Sequence, residues 1–152
     1  MSADNVKIRK ISLMNFRGAK DLLDLDLGSA CNSCAMFGNN AEGKSTFTQA
    51  IEWFYRDRIE HLRGEGIYDE DIINLASSSQ DETSVSLTFN NSELSASKIF
   101  DKIKGKHRFS NKSDKFLSYI GNEASYDRLY LDQQTILWFL ARRKGEKKEE
   151  IA

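Results

Sequence analysis

Gly38-Asn39-Asn40-Ala41-Glu42-Gly43-Lys44-Ser45 meets the phosphate-binding-loop pattern G-x-x-x-x-G-K-[ST] at every fixed position. The spacing has a chemical reason. Two glycines let a loop wrap a phosphate with its backbone N–H groups turned inward, and a helix that begins at the loop adds the positive end of its dipole. In such a loop Lys44 reaches the β- and γ-phosphates and the Ser45 hydroxyl ligates Mg2+. The flanks agree with this reading. Ala35-Met36-Phe37 is a short apolar run suited to a buried strand, and Thr46 to Arg58 reads as a helix with Phe47, Ala50, Ile51 and Phe54 on one face. Strand, loop and helix in that order are expected to form a nucleotide-phosphate site.

The chain has 152 residues and a formal net charge of -1, enough for one core and one domain, and without a global field that would steer it to DNA or a membrane. No apolar run approaches a membrane span and the N-terminus has no signal-peptide core, so a soluble, cytoplasmic protein with no membrane partner is expected. Cys31 and Cys34 form a lone C-x-x-C. A zinc site needs about four ligands, and His61 and His107 stand far away at no recognisable spacing. A redox pair belongs at a helix start, whereas this pair runs into the strand before the loop. Reduced cysteines entering a core strand are the expectation.

Outward from the loop, Val6 to Phe16 alternates in part, and Leu23, Leu25 and Leu27 alternate with Asp24 and Asp26. These two strands are expected to pair antiparallel. The stretch Ile59 to Glu82 is acidic and aperiodic, which predicts an irregular surface segment. Val85, Leu87 and Phe89, a turn at Asn90-Asn91 and a strand over Leu94 to Phe100 predict a hairpin. A basic strip follows, with Lys98, Lys102, Lys104, Lys106, Arg108, Lys112 and Lys115. Without aromatic residues at regular intervals it reads as a solvated strand edge and loop, permissive for nucleic acid. Ser113 is placed to cap a short helix through Tyr119, with Phe116, Leu117 and Ile120 as its apolar contacts. Asp127 to Leu131 reads as a strand, Thr135 to Ala141 as a helix, and the chain closes in a highly charged tail.

Several of these residues occur together in one family. Asn15-Phe16-Arg17-Gly18 after the first strand, a second strand over Leu22 to Leu27, the run Phe37 to Thr46, and Ala50-Ile51 in the next helix resemble the N-terminal head lobe of the SMC, RecF and RecN ATPases, P-loop heads of ABC type. The resemblance extends from about Val6 to Leu140. It implies an α/β fold with a mixed sheet, an antiparallel β subdomain and flanking helices. It also implies ATP and Mg2+ as ligands, held by Arg17, Gly38, Asn39, Asn40, Ala41, Glu42, Gly43, Lys44, Ser45 and Thr46. Leu131-Asp132-Gln133-Gln134-Thr135-Ile136 looks like the family's Q-loop, in which a glutamine meets Mg2+ and the attacking water. Gln133 is the better match and Gln134 stands one position off. Lys44 and Gln133 would then be the catalytic residues, with Ser45 and Gln133 at the metal.

The departures are as informative. In this family the signature motif, the Walker B Asp-Glu pair and the switch histidine lie in a second lobe beyond a long coiled coil, and none is recognisable here. Leu75 to Gln80 lacks the glycines of a signature motif and stands too early for one. Residues 1–141 are therefore expected to be a first lobe, and 142–152 the start of a coiled-coil stalk. Such a chain is a fragment, a truncated product or a subunit needing a partner. The resemblance implies a C-terminal lobe or second head that closes on ATP, and with it DNA, a nuclease subunit and a role in repair, recombination or anti-phage defence. Two other readings stay open. Arg128 to Asp132 reads as a Walker B strand ending in a Mg2+-binding Asp132, which makes a compact, self-contained NTPase. Alternatively, the lobe binds nucleotide as a regulatory module without hydrolysing it.

Overall fold

The computed structural model describes residues 6–28, 34–39, 43–59, 72–78 and 82–122. Five strands form one sheet in the order β2-β1-β3-β4-β5, each neighbour antiparallel: β1 (Ile8–Met14), β2 (Leu23–Asp26), β3 (Thr83–Phe89), β4 (Ala96–Asp101) and β5 (Lys106–Ser110). Helix α1 (Lys44–Arg56) and helix α2 (Asp114–Asn122) complete the described elements, with a 3-10 turn over Ser92–Leu94. No described helix is long and apolar enough to cross a membrane.

Alternation along the strands sorts the sheet into two faces. Ile11 and Leu13 of β1, Val85, Leu87 and Phe89 of β3, and Ala96 and Phe100 of β4 are buried. Against them α1 sets Phe47, Ala50, Trp53 and Phe54, and α2 sets Phe116. Edge-to-face rings bind the two helices to this face: Phe54 lies 5.3 Å from Phe109 and 6.0 Å from Phe116, and Phe89 lies 5.8 Å from Tyr119. The opposite face is hydroxylic. Register brings Ser12, Ser86, Ser97 and Ser110 into one row across four strands, and the Ser86 and Ser97 hydroxyls stand 2.7 Å apart.

The first antiparallel pair, the hairpin and the Ser113 cap are as expected; the Ser113 hydroxyl accepts from the Phe116 N–H at 3.0 Å. Four details differ. Residues 34–39 form no strand, and Phe37 is 92% exposed. A strand requires a ladder partner, and none of the five described strands pairs with this run. Cys34 is accordingly exposed rather than entering a core, and Cys31 lies outside the described residues. The fourth strand begins only at Ala96, because the Asn91 side chain accepts from Glu93 N–H and turns the chain through Leu94. The basic strip contains a strand of its own, β5, and it is not one patch. Lys98 is fully buried, Lys102 donates to the Ser78 carbonyl at 2.9 Å, and Lys115 pairs with Glu93. The 59–82 segment is more than surface, since Ile59 and Ile72 both enter the core. The strand expected over 127–131 and the helix over 135–141 lie outside the described residues, as does the charged tail.

Candidate functional site

Helix α1 begins at the end of the glycine loop. Gly43 is its N-cap residue, with φ 78° in the left-handed region that glycine enters without steric cost, and no side chain caps the first turn. The first-turn N–H groups and the positive helix end are thus presented as a loop-side anion site. The first turn also carries no acidic residue that would oppose an anion. Lys44 folds back over the loop: its Nζ donates to the Gly38 carbonyl at 2.7 Å and to the Asn39 carbonyl. The ammonium therefore rests on backbone that is itself part of the motif. Ser45 follows, exposed, and Thr46 is buried, its N–H donating to the Gly43 carbonyl at 3.0 Å. Asn40, Ala41 and Glu42 lie outside the described residues, as do Asp132, Gln133 and Gln134.

The Asn15-Phe16-Arg17-Gly18 element leaves β1 as a tight turn and lands on the start of α1. Asn15 and Arg17 both hold positive φ, 50° and 49°, a conformation that costs a non-glycine residue energy and persists only where neighbours enforce it. Three groups enforce it. The Arg17 N–H donates to the Ile72 carbonyl at 2.8 Å, the Asn74 N–H donates to the Asn15 carbonyl at 2.8 Å, and the Asn74 side-chain amide donates to the Arg17 carbonyl. Phe16 is fully buried 5.6 Å from Trp53 of α1 and anchors the turn. Gly18 comes so close to the helix that a Cβ there would stand 2.8 Å from Thr46 Oγ1 and 3.8 Å from Gly43 Cα. One position earlier, Arg17 Nε donates to Gln49 Oε1 at 3.3 Å.

Arg17 and the loop, far apart in sequence, are thereby joined by consecutive contacts: Gly18 against Thr46, and Arg17 against Gln49. The donor set is that of a polyphosphate site, with a lysine ammonium, a helix start without a side-chain cap, a hydroxyl beside it and a guanidinium held nearby. Gln49 and Asn74 were not readable as site residues. Gln49 lies three positions after Thr46, hence on the same helix face, and that spacing was the available signal. Asn74 follows the apolar pair Ile72-Ile73 in an otherwise polar stretch, and only tertiary structure shows that this pair closes over the turn. Among the described residues no cluster of three His, Cys, Asp or Glu side chains is arranged to hold a metal ion.

A glycine loop opening a helix, braced by an arginine turn and backed by an antiparallel sheet, is the layout of a P-loop fold of AAA type. A family model described as an AAA domain matches residues 10–150, and the chain belongs to that family. Its fold is similar to a solved structure from work on "ATP-driven dimerization and DNA stimulated activation of SMC ATPases". That likeness has a TM-score of 0.69 and 16% sequence identity, and it covers 95% of this chain and 96% of the other. A search of curated proteins found no match.

Proposed function

We propose that this chain is the ATP-binding lobe of an SMC-type ATPase, completed by a second lobe that closes over the nucleotide. The carrying observation is the Lys44 ammonium resting on the Gly38 and Asn39 carbonyls, beside a helix start that no side chain caps. On this reading Gly38 to Thr46 cradle the phosphates, Lys44 stabilises charge on the β- and γ-phosphates, and Arg17 adds a guanidinium from the turn. Ser45 and Gln133 hold Mg2+, whose chemistry here is neutralisation of phosphate charge. Gln133 also orients the attacking water. Phosphoryl transfer depends on positioning and charge stabilisation, so a lobe without a recognisable Walker B carboxylate or signature motif binds ATP far better than it hydrolyses it.

The similar structure's setting, ATP-driven dimerization with DNA stimulation, supports a second head and DNA as partners here; a nuclease subunit and a role in repair, recombination or phage defence rest on the family resemblance of the sequence alone. Lys106 and Arg108 are exposed on the edge strand β5 and are the cations of the basic strip best placed for a phosphate backbone. Residues 142–152 would begin the stalk.

The test compares oligomeric state and turnover of the full chain with Mg-ATP, with and without a C-terminal lobe and duplex DNA. Binding with low turnover, raised by the second lobe, is expected; vigorous turnover by the chain alone would overturn the half-site. Gln133→Ala should lower turnover in the assembled head and leave binding intact. Loss of Mg2+-dependent binding in Asp132→Ala would instead favour the compact, self-contained NTPase.

A further inference from the structure

The main chain of Arg17 is fixed by the Ile72 carbonyl and the Asn74 amide, but these contacts do not orient a guanidinium at the end of a long side chain. Gln49 does. It is buried, 8% exposed, on α1, and its Oε1 accepts from Arg17 Nε at 3.3 Å. The bond is made at Nε, behind the terminal fork through which arginine grips phosphate oxygens. Gln49 also stands one helical turn after Thr46, which packs on Gly18, so the same helix that opens at the phosphate loop also sets the direction of the arginine. Its amide is neutral, so it orients Arg17 without cancelling the charge that a phosphate would meet.

We infer that Gln49 is a positioning residue for the nucleotide site, holding Arg17 toward the phosphates through Nε. This rests on the reading of the loop and Arg17 as a polyphosphate site. Loss of the Gln49 contact leaves the guanidinium less fixed before nucleotide arrives, which weakens Mg-ATP binding between about twofold and about tenfold.

The experiment titrates Mg-ATP into the full chain by calorimetry for the wild type, Gln49→Met, Arg17→Ala and the double variant, each first checked by thermal melting. Gln49→Met keeps the size and removes the acceptor. It should weaken binding in the wild-type background and have no further effect beside Arg17→Ala, a coupling that a merely structural role would not produce. If Gln49→Met melts early, Gln49→Ser, polar and too short to reach Arg17, takes its place in the cycle. Equal losses in both backgrounds, or an unaffected Gln49→Met beside an impaired Arg17→Ala, overturn the inference while the site reading stands. An Arg17→Ala chain that binds like the wild type, or a wild type that does not bind, overturns the site reading and the inference together.

Discussion

Gly18 lacks a side chain where one would press on Thr46. A Cβ 2.8 Å from Thr46 Oγ1 has to displace the side chain of a buried residue in the first turn of α1. Gly18→Ala is therefore expected to prise the arginine turn off the loop, at a cost of about 1–2 kcal/mol in stability and about tenfold in Mg-ATP affinity. Thr46→Ala in the same chain removes the opposing oxygen and should restore most of the loss; melting and calorimetry on the single and double variants read this directly. The loop itself was legible because its glycines, lysine and serine are required at fixed spacing by the ligand's chemistry. The contacts of Gly18 with Thr46, and of Gln49 and Asn74 with Arg17, were not, because each joins residues distant in sequence, and one chain does not display such pairs.

Helix α1 is held at both ends by different means. At its start stands the loop; at its end Asp57 adopts φ 60° and donates its N–H to the Trp53 carbonyl at 3.0 Å. Lys98 then reaches in from β4, donating to the Trp53 carbonyl at 2.6 Å and the Phe54 carbonyl at 3.0 Å, and pairing with Asp57. Its ammonium lies 4.7 Å from the Trp53 ring centroid, and His107 of β5 stands 3.0 Å from the same Asp57 carboxylate. A cation on the last carbonyls of a helix satisfies groups the helix cannot, and it complements the dipole. Lys98→Met leaves those carbonyls buried without that donor. It should cost about 2–3 kcal/mol, seen as a fall of about 5–10 °C in Tm; an unchanged Tm would show that the cap carries no stability. Strand alternation contained this signal, since Lys98 falls between the inward Ala96 and Phe100, but its place in a run of cations made it read as solvated.

The β4–β5 turn gives a second test at the scale of an element. The Lys104 N–H, first among the causes, holds the Asp101 carboxyl below the usual aspartate range, with the Lys104 charge and the Ile103 N–H adding to it. A carboxyl whose folded pKa is lowered stabilises the turn above its unfolded value, and that contribution is lost as pH falls through the lowered one. The Ile103 and Lys104 amide resonances should therefore titrate together with a midpoint below ordinary aspartate, and Asp101→Asn should abolish the transition.

At the scale of the molecule, the described residues form a two-layer unit with helices on one sheet face and a row of hydroxyls on the other. The sheet's strands were readable wherever apolar residues alternate. β5 was missed because its outward positions, Lys106 and Arg108, hide the alternation of His107 and Phe109. The apolar run at 35–37 forms no strand because none of the described strands pairs with it, a constraint of topology that no local pattern carries. The proposed function rests on one site: a loop, a lysine and an arginine turn at the start of one helix. The most direct measurement is the affinity of the full chain for Mg-ATP against that of Lys44→Ala. The wild type should bind saturably, and the variant, deprived of the ammonium that rests on the loop, should bind at least about tenfold more weakly. Equal affinities, or no binding by the wild type, would contradict the assignment of this loop to nucleotide phosphates.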